Sequence, residues 1–188
     1  MCSSTYIHGM ADRRQLIKYL RFQLEEELSA DNGAHPFEQI CKEAARRRIA
    51  SNLIPATGPV AGGGDARRDF ETFTSYLPKE LGKHSAFGAR MGGKALALLC
   101  TLERTAGVAT KFREDVEAIV MSGDKFEHVY GMCSVAVDVG RRDRLRKKVR
   151  EKHGIDLTVL DGVWLAENLA DPDLFWVAEE YVGSSQTC

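Results

Sequence analysis

The chain has no CxxC pair, no long apolar run and almost no net charge, and each absence removes a class of function. Its cysteines, Cys2, Cys41, Cys100, Cys133 and Cys188, are scattered through 188 residues. None stands near a histidine at zinc-ligand spacing. An odd, dispersed set does not make a disulfide framework and fits a reducing, cytoplasmic compartment. Cys41, Cys100 and Cys133 lie in apolar contexts and are expected as small core residues. The longest apolar stretch, 95–102, has the length of a strand and falls far short of the roughly 18 residues that span a membrane. The N-terminus lacks the basic-then-apolar pattern of a secretory signal. No GxxxxGK[ST] motif occurs, and Gly92-Gly93-Lys94 precedes a strand rather than a helix, the wrong order for a phosphate-binding loop. Ser51 and Ser122 have no nearby histidine and acid to activate them. Helix-turn-helix, zinc-finger and RNP-like aromatic patterns are also missing, which argues against sequence-specific reading of nucleic acid.

What is present is an ordinary globular composition, 44% apolar and 28% charged, with a formal net charge of −1. The length suits one domain. That domain is expected over 11–182, between an unstructured 1–10 and a tail at 183–188, in a chain that reads as the N-terminal piece of a larger protein. Apolar residues at helical spacing predict helices over 11–29 and 36–50, the second opened by Pro36. Residues 51–68, dense in proline and glycine, read as a loop. Strands are predicted at 69–76, 94–102, 127–137 and 155–160, with 94–102 central and buried on both faces. Helices are predicted at 109–122, at 140–153 ending on Gly154, and at 161–182 with a break near Asp171-Pro172. Trp164 and Trp176 on the last of these read as core residues, and His128 as a core or rim histidine. Strands alternating with helices imply an α/β domain with a largely covered sheet.

The chemistry concentrates on one short strand. Side chains alternate along a strand, so Asp69 and Glu71 share a face, and Asp65 lies just upstream in the glycine-rich stretch Gly62-Gly63-Gly64-Asp65. Carboxylates this close repel one another unless a cation intervenes. Hard oxygen donors suit Mg²⁺ or Mn²⁺, which lowers the pKa of a bound water and stabilises charge developing on a phosphate.

The segment from Ser51-Asn52-Leu53-Ile54-Pro55 through Gly62-Gly63-Gly64-Asp65 to Arg68-Asp69-Phe70-Glu71-Thr72 resembles the PD-(D/E)XK restriction-endonuclease-like superfamily, and within it the Mrr-like branch. The similarity is specific over roughly residues 36–72 and looser through 94–122 and beyond. The resemblance implies a mixed central sheet flanked by helices, here with an extra N-terminal helix. It also implies a Mg²⁺-dependent DNA endonuclease of low sequence specificity, the effector of an antiphage defence protein that carries an NTPase and sensor region or assembles as a homo-oligomer. By position, Asp69 matches the metal-binding aspartate of the second core strand, and Asp65 the acid of the glycine loop. Glu38 matches a carboxylate from the preceding helix, and Glu71 the Glu of a Glu-Thr pair.

One element departs from the family pattern. Its next strand carries Glu, Gln or Ser, then any residue, then Lys, where this chain has Cys100-Thr101-Leu102. Three readings are open for the missing lysine: Lys111 reaching back from the following helix, Lys94 about 20 Å away along an extended strand, or Glu103 or Arg104, just past the strand end, filling part of the role. Otherwise the domain is a degenerate nuclease-fold module for nucleic-acid binding or oligomerisation. RNA processing on the same scaffold is a third reading.

Basic residues supply the partner surface. Arg67 and Arg68 flank the acidic strand, Arg46-Arg47-Arg48 form one cluster, and residues 141–152 hold eight basic side chains. Arg142, Arg146 and Arg150 recur at i, i+4 spacing, with Leu145 and Val149 expected on the opposite, buried side. DNA phosphates are the expected contact.

Overall fold

The computed structural model describes residues 12–28, 33–51, 53–55, 70–72, 96–121, 126 and 128–183. Helix α1 (Arg13–Phe22) opens on Asp12, whose Oδ1 accepts from the Arg14 amide at 3.0 Å, and continues into a wider π-helical turn, Gln23–Glu27. Helix α2 spans Ala34–Arg48, with Pro36 in its first turn where a missing N–H costs nothing. Three short segments then form an antiparallel meander: β1 (Leu53–Pro55), β2 (Phe70–Thr72) and β3 (Leu96–Thr101). Helix α3 (Thr105–Met121) crosses over to β4 (His128–Cys133), and helix α4 (Val139–His153) crosses to β5 (Asp156–Leu160). Both crossovers give parallel pairs, and the sheet order is β1-β2-β3-β4-β5. Helix α5 (Gly162–Leu169) and a short turn of helix α6 (Phe175–Val177), extended by the π-helical turn Ala178–Val182, close the fold.

The α/β class is as the sequence implies, and β3 lies at the centre of the sheet. Its alternating side chains divide the core in two. Leu98, with Met132 of β4, packs under α1, α2 and α5; Ala97 and Leu99, with Val129 and Leu157, pack under α3 and α4. Nearly continuous apolar composition is what a strand covered on both faces requires. Gly131 of β4 makes room for α3: a Cβ there would lie 2.8 Å from Cε2 and Cζ of the fully buried Phe112. At the far end of α4, Gly154 takes φ 70°, the left-handed C′ conformation anticipated for it.

Several boundaries differ from expectation. β1 lies inside the stretch read as a loop, where proline content masked a three-residue edge strand; Pro55 sits at the end of that strand. The strand read over 127–137 stops at Cys133, and the chain bends through Ser134 and Val135. Helix α3 begins at Thr105, earlier than its apolar spacing suggests, and the Gly107 amide in its first turn donates to the Arg104 carbonyl at 2.7 Å. Trp176 is half exposed rather than a core residue, whereas Trp164 packs against the α1–α2–α5 core. The terminal segments 1–11 and 184–188 lie outside the described residues.

The arginine triplet closing α2 is engaged within the chain. Arg48 grips Asp173 with both Nη atoms (2.8 and 2.9 Å), Asp171 at 3.1 Å and the Asn168 Oδ1 at 2.8 Å. Arg47 adds a 3.0 Å bond to Asp173, and Arg46 caps the Leu53 carbonyl at 3.0 Å through Nη2. From α1, Arg13 reaches Asp171 at 2.8 Å. The cluster that sequence alone offered to phosphate therefore ties α1, α2, β1 and the α5–α6 turn together.

Two predictions follow from this packing. Gly131→Ala forces a methyl into the Phe112 ring and should cost about 1–3 kcal/mol, read from the urea midpoint at unchanged m-value. The second concerns acid. The Arg48 guanidinium, helped by Arg47, holds the Asp173 carboxyl well below the usual carboxylate range. A depressed folded-state pKa gives stability that is present at neutral pH and is lost as pH falls through that range. Asp173→Asn should be less stable than wild type at neutral pH and should lose less between about pH 5 and about pH 2. Parallel acid profiles of the two proteins would contradict this.

Candidate functional site

The carboxyl ends of β3, β4 and β5 lie along one edge of the sheet, and α3, α4 and α5 each begin there. Crevices of this kind, outside the carboxyl ends of parallel strands, are where open α/β sheets commonly bind ligands. A cleft of about 710 Å³ opens at this edge, lined by Thr105, Val137, Asp138, Arg141, Arg142 and Trp164 among others. Asp138 caps α4, accepting from the Arg141 amide at 2.8 Å. Asp161 is buried and caps α5: Oδ1 accepts from the Trp164 amide and Oδ2 from the Val137 amide, each at 3.1 Å. Arg142 lies 3.9 Å from the same carboxylate. Asp161 thus joins the β4–α4 loop to the start of α5, and both its oxygens are engaged.

The acidic strand is β2, which pairs with β3 on the side away from β4. Glu71 of β2 is paired with Ile54 of β1 and with Ala97 of β3. Ala97 is buried in the core beneath α3 and α4, so the Glu71 register position belongs to the α3 side of the sheet. Asp65, Arg67, Arg68 and Asp69 lie outside the described residues, as does Lys94. Glu38 is a partly buried residue of α2, in the helical layer on the other side. The structure therefore places Lys111 and the Glu71 position on one side of the sheet and the helix carrying Glu38 on the other. Among the described residues, no group of three or more His, Cys, Asp or Glu side chains is arranged to hold a metal.

The Cys100-Thr101-Leu102 segment has structural partners. Thr101 is buried and its Oγ1 accepts from the Glu103 amide at 3.1 Å, while Leu102 packs on the α1–α2–α5 core. Glu103 and Arg104 are exposed beyond the strand. Lys111 points its ammonium at Asp115, 2.8 Å away on the next turn of α3. Asp115 is 2% exposed, a charge in the core that needs such a partner. Cys133 is a buried core residue, and burial pushes its thiol up to about 12. His128 shares a 2.8 Å hydrogen bond with Thr158 and stacks on Tyr130 at the start of β4, a rim position.

The basic helix α4 is arranged differently from its i, i+4 pattern. Leu145 and Val149 are buried, yet they lie between two basic flanks rather than opposite one. Arg142 and Arg150 are drawn to Asp161 and Asp156, at 3.9 and 3.5 Å, while Arg146 is exposed. On the other flank, Arg141, Arg144 and Lys148 meet Arg113 of α3 along a groove. Sequence reasoning missed that second flank. Its signal was there: residues 141, 144 and 148 are three and four apart, the spacing of a helical stripe. What was not legible is that α3 brings a further arginine to the same groove.

Comparison of the chain with protein-family models, curated proteins and solved structures finds no match.

The Lys111–Asp115 pair is open to a direct test. Lys111→Met leaves a buried carboxylate without this cation and should cost about 1–3 kcal/mol. Adding Asp115→Asn should recover part of that loss. Additive costs in the double-mutant cycle would mean the two groups are not coupled.

Proposed function

We propose that the chain is a divalent-metal-dependent DNA endonuclease domain with a restriction-endonuclease-like core, the effector part of an antiphage defence protein. The observation that carries this reading is the order of the elements around the acidic strand. A helix precedes an antiparallel three-strand meander, a crossover helix follows, and the next strand is parallel to the third. That succession matches the helix, acidic meander, helix and strand of the family that the sequence resembles, and Glu71 occupies the middle strand of the meander.

Asp65, Asp69 and Glu71 are the residues that would hold Mg²⁺ or Mn²⁺, since hard carboxylate oxygens on and beside one strand suit such an ion. When bound, the metal supplies an acidified water and charge neutralisation at the scissile phosphate. Arg67 and Arg68 are placed by sequence beside the acidic strand to hold the nucleic-acid backbone. Lys111, on the Glu71 side of the sheet, is the cation proposed to replace the lysine missing at Leu102. No helix among the described residues is long and apolar enough to cross a membrane.

A second reading has its own support. Leu102 is packed into the core and Lys111 is committed to Asp115 in this conformation, so the cationic half of a hydrolytic site is absent from β3. A nuclease-fold module that binds nucleic acid or self-associates without cutting needs no such lysine.

Plasmid nicking in Mg²⁺ decides between them. Wild type should nick and Asp69→Ala should not; equal nicking by both proteins would sink the endonuclease reading. Salt-sensitive DNA binding by a wild type that never cuts would favour the binding module, and a parallel RNA substrate identifies which polymer is hydrolysed.

A further inference from the structure

The eight basic side chains of α4 are not equivalent in the folded chain. Arg141 pairs with Asp138 (3.1 Å), Arg142 with Asp161 (3.9 Å), Lys147 with Glu151 (3.8 Å), Arg150 with Asp156 (3.5 Å) and Lys152 with Glu117 (2.8 Å). Arg144, Arg146 and Lys148 have no acidic partner among the described residues. Two of those three, Arg144 and Lys148, line the same hollow.

That hollow lies between the N-terminal halves of α3 and α4 and measures about 400 Å³. Ala106 and Ala109 keep the α3 wall low, and Leu145 forms the apolar floor. Its charged lining is Arg113, Arg141, Arg144 and Lys148, with no carboxylate. Arg113 is propped by the Ala109 carbonyl and the Thr110 hydroxyl, both at 3.2 Å, and Arg141 reaches the Thr105 carbonyl at 3.4 Å. The Arg113 bonds are to neutral acceptors, so they fix its guanidinium without neutralising it, whereas Arg141 is also paired with Asp138. Further along the same helix pair the groove changes character. There Glu114, Glu117 and Glu151 join Arg113, Lys148 and Lys152, and the charge is balanced. The excess of cations thus lies toward the end where both helices begin, with Arg113 and Lys148 at its boundary with the balanced stretch. Thr105 and Arg141 also line the 710 Å³ cleft, so the basic groove opens onto the carboxyl edge of the parallel strands.

We propose that the α3–α4 groove is a phosphate-binding track that holds the backbone of a nucleic acid through Arg113, Arg141, Arg144 and Lys148, in place of the Arg142–Arg146–Arg150 face. Three cations without an acidic partner among the described residues, Arg113, Arg144 and Lys148, with Arg141 beside them shared with Asp138, fit a run of phosphodiesters. An isolated anion would need only one or two of them. Two rigid helices hold the cations at a fixed spacing and leave the base edges unread, as sequence-independent binding requires. The inference rests on the proposed choice of nucleic acid as partner and is independent of whether the chain cuts.

The test is binding of a fluorescein-labelled duplex oligonucleotide in EDTA, followed by anisotropy over a salt series. Arg144→Gln/Lys148→Gln should weaken binding by about tenfold at low salt and reduce the slope of log K against log salt by about 2. Arg142→Gln/Arg150→Gln should change both far less. Nicking by wild type and by each groove variant is scored separately in Mg²⁺, which separates failure of the groove from failure of the endonuclease reading. A melting curve for each variant shows that it is folded, and the charge-keeping Arg144→Lys should restore most of the affinity lost on Arg144→Gln. The proposal is overturned if wild type does not bind at low salt, if the Arg142/Arg150 variant shows the larger loss, or if tripolyphosphate binds the groove while duplex does not.

Discussion

Everything in this fold depends on β3 being buried from both sides. A strand with Leu98 facing one helical layer and Ala97 and Leu99 facing the other cannot lie at a surface. Its backbone groups must therefore be paired on both edges, by β2 in one direction and by β4 in the other. The antiparallel and parallel halves of the sheet meet on this strand. Its carboxyl end opens on the cleft, and its pairing with β2 sets Glu71 opposite Ala97. Gly131 and Phe112 belong to the same constraint, since α3 can lie close to the sheet only where β4 has no side chain in the way.

Charge follows a second rule, set by tertiary neighbours rather than by runs along the chain. Arg46, Arg47 and Arg48 are as dense a basic cluster as any here, yet Leu53, Asp171 and Asp173 take them up internally. The basic helix α4 is divided the same way. One flank meets acids from β5 and from the loop before α5, while the other meets a further arginine across a groove. Surface ion pairs of this kind are worth little as stability, about 0–1 kcal/mol each. Their larger consequence is to decide which cations are left available to a polyanion.

Lys111 shows both rules acting on one residue. Its helix belongs to the layer over Ala97, on the side of the Glu71 register position, which suits a cation needed near the acidic strand. In the folded chain its ammonium meets Asp115, a carboxylate in the core that would be costly without a cation. On the proposed endonuclease reading, Lys111 would have to leave Asp115 when substrate phosphate arrives.

The α/β class, the central buried strand, the helix order, the Gly154 terminus of α4 and the core roles of Cys41 and Cys133 were all legible in the sequence. They depend on period, propensity and local backbone chemistry, which neighbours along the chain carry. Only the tertiary structure decided that β1 exists within a proline-rich stretch, because a three-residue edge strand is held by its pairing with β2. Tertiary contacts likewise paired the Arg46–Arg48 triplet with groups of its own chain and left Trp176 outside. They also moved the candidate phosphate surface from Arg142, Arg146 and Arg150 to Arg144 and Lys148 beside Arg113. Helical spacing shows which residues share a stripe, but the charge a stripe presents depends on acids and arginines brought to it from elsewhere in the chain, and their approach is a property of the packed fold.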